Sequence, residues 1–180
     1  MRCVVFAAAC VLAPTGAHAI EYMTAEQAAK TIFPAADNFE PGSFKLDAAE
    51  MQQLATVGIQ ARSVDWSLRI AKHAGTTLGY VVVDEVIGKF ELITYAVGIG
   101  LDGAVTQIEV LSYRESHGSE IRMTGWRKQF VGKTSAAPIR VGEDIANISG
   151  ATLSCKHVTD GVRRVVAVVE LARKSGKLQT

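Results

Sequence analysis

The chain has 180 residues, 48% hydrophobic and 21% charged, enough for one globular domain with its own core. Aromatics make up only 7%, so that core is expected to be mostly aliphatic. Lysine and arginine number 19 against 18 acidic residues, a balance that invites neither nucleic acid nor an anionic membrane.

Residues 1–19 read as a secretory signal peptide. Arg2 supplies a short positive start and Cys3 to Ala13 an apolar run. Pro14, Thr15 and Gly16 break it, and Ala17-His18-Ala19 forms an A-x-A cleavage site before Ile20. The run is too short to span a bilayer as a helix. Lipidation on Cys10 is the rival reading. The expected product is exported, periplasmic and close to zero net charge. Cys155 would be its single cysteine, which excludes an intramolecular disulfide and a thiolate-rich zinc site. His73, His117 and His157 are scattered and make no metal-binding pair.

Along the mature chain, Thr24-Ala25-Glu26-Gln27 reads as a capping box opening a helix to Phe33, stopped by Pro34. Asp37 to Ser43, with Pro41 and Gly42, reads as a loop. Asp47-Ala48-Ala49-Glu50 is a second capping box, for a helix ending near Gly58. Strand patterns follow: a weak one over Ser67 to Lys72, then Leu78 to Ile87, Phe90 to Ile99 and Val105 to Tyr113. Gly88-Lys89 and Asp102-Gly103 mark the turns between the last three. Ser119 to Val131 is expected to be helical, and Thr134 to Val141 a loop or short strand. A last helix runs from about Leu153 to Lys174, with Val158, Val162, Val165, Val169 and Ala172 on one stripe and Arg163 and Arg164 off it. The expected fold is α+β, an antiparallel β-sheet packed with helices. A helical segment over 20–63 precedes a main domain over 64–180.

The start of the last helix carries the strongest chemical signal. Ser149-Gly150-Ala151-Thr152 precedes Leu153, Ser154 and Cys155. Gly150 permits positive φ or a close backbone approach, and Ala151 keeps the place open. The N–H groups of Leu153, Ser154 and Cys155 would be unpaired at the positive end of the helix dipole, so Thr152 offers an alcohol where phosphate is favoured. Alternatively, Thr152 or Ser154 simply caps the helix. Lys156 adds a charge that either meets the phosphate or faces water. Cys155 is a redox thiol lowered by the dipole, or a small buried residue.

This run is similar to the flavinylation site of FMN-binding domains. Those domains occur in the C subunit of the sodium-pumping NADH:quinone oxidoreductase, in the G subunit of the Rnf complex and in small exported flavoproteins. Gly98-Ile99-Gly100-Leu101-Asp102-Gly103, then Glu115-Ser116-His117-Gly118, then Trp126, Gln129 and Phe130-x-Gly132-Lys133 resemble further stretches of the family. The resemblance spans roughly Gly79 to Val169. It implies FMN joined by a phosphoester to Thr152, installed by a flavin transferase that uses FAD and a divalent metal. It further implies a redox carrier, more than a stand-alone enzyme, that exchanges electrons with membrane or exported partners and docks without a transmembrane helix of its own.

Ser149, Gly150, Ala151, Leu153 and Ser154 would line the cofactor. Glu115 would orient the loop or the ribityl chain, Gly118 would let the backbone approach the ring, and Trp126 would stack near it beside Phe130. Without the resemblance, Glu115 and Gly118 read as a surface turn, Trp126 and Phe130 as core anchors, and His117 as a loop histidine facing water. The chain departs from the family at His117, where proline is usual, and at Ala146, where aspartate is usual; Asp144 is the nearest acid. The other readings are a non-covalent FMN reductase and a flavin-free exported binding module. No Gly-x-Ser-x-Gly, phosphate loop or dinucleotide fingerprint supports a hydrolase or nucleotide enzyme.

Overall fold

The computed structural model describes residues 20–115 and 117–178; the signal peptide expected over 1–19 lies outside them. Six strands form one sheet: β1 (Ile20–Glu21), β2 (Asn38–Lys45), β3 (Asp65–His73), β4 (Thr76–Ile87), β5 (Leu92–Gly100) and β6 (Val105–Tyr113). Their order is β1-β6-β5-β4-β3-β2, and every pairing is antiparallel. Helices α1 (Ala25–Ile32), α2 (Ala48–Thr56), α3 (Thr124–Arg127) and α4 (Thr152–Lys174) pack around it. The α+β expectation holds.

Both capping boxes form. Thr24 Oγ1 accepts from Gln27 N–H at 3.2 Å and Gln27 Oε1 accepts from Thr24 N–H at 2.8 Å. Asp47 and Glu50 make the same exchange at the start of α2. Each satisfies two N–H groups that an uncapped helix would leave bare.

Strand alternation gives the sheet two apolar faces. Tyr80, Val82, Ile93, Tyr95, Val97, Ile108 and Val110 belong to the core beneath α4, together with the predicted valine stripe of that helix. Val81, Ala96 and Leu111 point the other way, against Ala28, Ala29 and Ile32 of α1. Each fully buried valine of the stripe contributes about 1.5–2 kcal/mol relative to exposure, which is why α4 lies flat on β4 and β5.

Three expectations change. Asn38–Lys45 is a strand, although Pro41 and Gly42 suggested a loop. It is one of the two edge strands and pairs only with β3, and edge strands are where a sheet tolerates proline. Ser119 to Val131 is broken into a 3₁₀ turn (Ser119–Arg122), α3, and a second 3₁₀ turn (Lys128–Phe130), with Met123 extended between the first two. Ile121 and Trp126 would sit about 140° apart on a continuous helix; the break lets Ile121, Trp126 and Phe130 all reach the core. Arg164 is buried, because its guanidinium meets Asp84 under the sheet.

Candidate functional site at the start of the last helix

Gly150, at φ +83°, turns the chain into α4. Ala151 takes the N-cap position with no side-chain cap, and Thr152 is the first helical residue. Among the described residues, the N–H groups of Thr152, Leu153 and Ser154 have no partner, whereas Cys155 N–H is already bonded to Ala151 O at 2.9 Å. The expected trio of free donors is thus shifted one residue back. Thr152 is exposed, and its Oγ1 accepts from Asn147 Nδ2 at 3.1 Å. Neither Thr152 nor Ser154 caps the helix.

Ser154 is buried and turned inward, 3.0 Å from the Tyr113 hydroxyl at the end of β6. Tyr113 also donates to His117 O. Gly118 adopts φ +94°, and a Cβ there would stand 2.5 Å from the Tyr113 hydroxyl and 3.0 Å from Ala151 Cβ. Gly118 therefore lets the loop after β6 press against the root of α4, and it does not border the pocket. Ala151 is buried against it, so its small size serves this packing as well as the opening.

Glu115 reaches across to the β4–β5 turn. Its Oε1 accepts from Phe90 N–H at 2.6 Å and Glu91 N–H at 3.0 Å. Burial works against its charge, but the N–H groups of Glu91, Phe90 and Lys89 outweigh it and hold the carboxyl below its usual range. From the other side, His157 Nδ1 contacts Ile87 O at 2.6 Å and Gly88 O at 3.0 Å. Carbonyls only accept, so Nδ1 carries the proton. The β4–β5 turn is thereby clamped between the β6 loop and α4.

Trp126 is buried away from the pocket, edge-on to Phe130 with ring centroids 5.1 Å apart. Its indole Nε1 donates to Ala146 O at 2.8 Å, and Gln129 Oε1 accepts from Ala146 N–H at 2.7 Å. Trp126 thus anchors the segment before the helix and does not line the pocket at the start of α4. Asp144 does not fill the place of the absent carboxylate at Ala146. It pairs with Lys133 at 2.8 Å and accepts from the N–H groups of Ile139 and Arg140. Cys155 is fully buried, and burial raises its thiol pKa, which removes the redox reading. Lys156 is exposed and lies outside the pocket wall.

The elements converge on an open pocket of about 470 Å³, within the range of small-molecule sites. Lys89 and Phe90 form one wall, Glu115 and His117 a second, and Gly150 to Ser154 the third. Ser149 precedes them on the exposed turn. A flavin phosphate fits this end: free N–H donors, a helix dipole and an alcohol coincide, with Lys89 as the nearby cation and Glu115 satisfied by backbone. Phe90 and Leu153 offer exposed apolar surface to a ring system. Lys89, Phe90, Asn147 and His157 were missed as contributors. Phe90 reads as the first residue of a strand in the sequence, yet it stands on the turn before β5. A second cleft of about 480 Å³, between α2, residues 135–143 and α4, contains none of these groups. Among the described residues, no cluster of His, Cys, Asp and Glu is arranged to hold a metal.

Comparison with known proteins indicates the cofactor class. The G subunit of the Na(+)-translocating ferredoxin:NAD(+) oxidoreductase complex of Acetobacterium woodii is 28% identical, over 91% of this chain and 85% of that protein. The G subunit of the ion-translocating oxidoreductase complex of Aliivibrio fischeri is 31% identical over 53% of this chain. The chain spans about half the length of that second relative, 49%. The fold matches crystal structures of NqrC from Shewanella oneidensis, at TM-score 0.55 and 14% identity over 82% of this chain and 87% of the other. It also matches the C subunit of the Na(+)-translocating NADH-quinone reductase from Parabacteroides distasonis, at TM-score 0.50 and 16% identity over 73% and 76%. The FMN-binding domain family matches residues 88–167, a span that holds the β4–β5 turn, the Glu115 loop and Thr152. Residues 88–167 of the chain thus match the FMN-binding domain family, with FMN as the indicated cofactor.

Proposed function

We propose that this protein is an exported electron carrier with FMN joined to Thr152 by a phosphoester. The observation that carries the reading is the exposed Thr152 hydroxyl at the first position of α4, beside N–H donors without partners and inside the pocket. When bound, FMN supplies the electron chemistry. The chain's own residues hold the phosphate at the helix N-terminus, present Phe90 and Leu153 to the ring, and fix the β4–β5 turn through Glu115 and His157.

Its partners are redox proteins of an ion-translocating complex or a related exported chain, a reading supported by the names of the relatives. Among the described residues no helix is long and apolar enough to cross a membrane, and the domain reaches such partners by docking. Export rests on the reading of residues 1–19.

The test is the mass of the denatured full chain after expression with a bacterial flavin transferase. The expected result is an adduct of FMN less one water, mapped to the peptide containing Thr152. An unmodified mass with FMN released on denaturation indicates a non-covalent flavoprotein instead. A colourless, unmodified protein indicates a flavin-free module.

A further inference from the structure

We infer that Asn147 is a positioning residue for the modification of Thr152; the inference rests on Thr152 being the attachment residue. A threonine in a helix splits between two χ1 rotamers, and Thr152 is exposed, so packing does not choose between them. The choice is made by Asn147, whose Nδ2 donates to Thr152 Oγ1 at 3.1 Å.

Asn147 is delivered from a braced backbone. Both backbone groups of its neighbour Ala146 are bonded, the carbonyl to Trp126 Nε1 at 2.8 Å and the N–H to Gln129 Oε1 at 2.7 Å. Trp126 and Phe130 are themselves buried. The relay runs from the core through Ala146 and Asn147 to an alcohol at the surface.

The bond orients Oγ1 and still leaves it able to react. A hydroxyl oxygen has one proton and two lone pairs. The amide of Asn147 occupies one lone pair and leaves the proton and the other pair free. In the step, Thr152 Oγ1 forms a bond to the flavin-side phosphorus of FAD, and the bond from that phosphorus to the bridging oxygen breaks. AMP leaves with the bonding electron pair, and the threonine proton passes to a base of the transferase. No electron is gained or lost. Asn147 adds no negative charge beside the incoming phosphate.

The experiment follows adduct mass with time in the purified full chain, given FAD, magnesium and a bacterial flavin transferase. Asn147→Ala is expected to slow labelling about 5- to 10-fold, the effect of one hydrogen bond. Asn147→Asp has nearly the same shape but no donor and adds a charge, and it is expected to be at least as slow as alanine. Asn147→Gln restores the donor on a longer arm and is expected within about twofold of the native rate. Unfolding midpoints should stay within about 2 °C, since Asn147 is exposed. Equal rates for native and Asn147→Ala overturn the inference while leaving Thr152 assigned. Asn147→Asp labelling at the native rate, or Asn147→Gln as slow as alanine, also overturns it. A native protein that takes no label sinks the Thr152 assignment and this inference together.

Discussion

Tyr113 Oη stands 3.0 Å from Ser154 Oγ, joining the last residue of β6 to the first turn of α4. Tyr113 gives its proton to His117 O, so Ser154 is the donor between them. One side chain thereby fixes the strand end, the loop after it and the helix that starts the site. Burial raises the Tyr113 pKa; the Ser154 bond opposes this, and the charges of Glu115 and Glu120 add to it. The phenol stays protonated at neutral pH and keeps its donor role.

Tyr113→Phe leaves His117 O without its donor and Ser154 without its acceptor. The expected loss is about 1–2 kcal/mol in urea denaturation, with slower labelling of Thr152. A variant as stable as the native protein would show that water replaces both bonds.

Thr152→Val separates chemistry from stability. Thr152 is exposed and is not the cap of α4. Its loss should cost within about 0.5 kcal/mol, less than the roughly 1 kcal/mol that a true cap would cost. The covalent adduct should vanish, and Thr152→Ser should retain it because the alcohol remains. Labelling of the valine variant would move the attachment to another residue.

The α4 stripe was legible because Val158, Val162, Val165 and Val169 repeat at helical spacing, and all are fully buried. The start of α4 was legible because a Ser-Gly-Ala-Thr run before an apolar stripe is a local signal. Asn147, Lys89, Phe90 and His157 were not, since their roles arise from contacts over five to seventy residues of chain. Trp126 was placed wrongly at the ring because spacing reveals a shared face but not what that face meets. The edge strand β2 was hidden by Pro41, whose tolerance depends on which strand lies outermost.

Arg164 tests the packing that holds α4 to the sheet. Asp84 Oδ2 accepts from Arg164 Nη2 at 2.5 Å, from Arg164 Nε at 3.2 Å and from Tyr95 Oη at 2.7 Å. Arg164→Met keeps the apolar stem and leaves a largely buried carboxylate with Tyr95 alone. We expect a loss of about 2–4 kcal/mol in urea denaturation. Adding Asp84→Asn should recover part of it, because the two residues share one interaction. Purely additive losses would deny the coupling.

Glu115 predicts how acid acts on the pocket. Its folded carboxyl lies below the ordinary 4.5, so it stabilises the folded state above its unfolded pKa. That contribution disappears as pH falls through the lower folded value. The groups released are Phe90 N–H and Glu91 N–H, on the turn that lines the site. Asp47, Glu50, Asp144 and Glu170 are also held low, so the native protein loses stability in acid for several reasons at once. Glu115→Gln isolates one of them. The variant should be less stable at neutral pH, and the gap from the native protein should close as pH falls through the lowered folded value. Melting temperatures across that range measure the gap, and amide protection at Phe90 and Glu91, relative to the intrinsic exchange rate at each pH, should fall in native protein over the same interval. A gap that stays constant with pH would mean that Glu115 holds the turn by shape and not by charge.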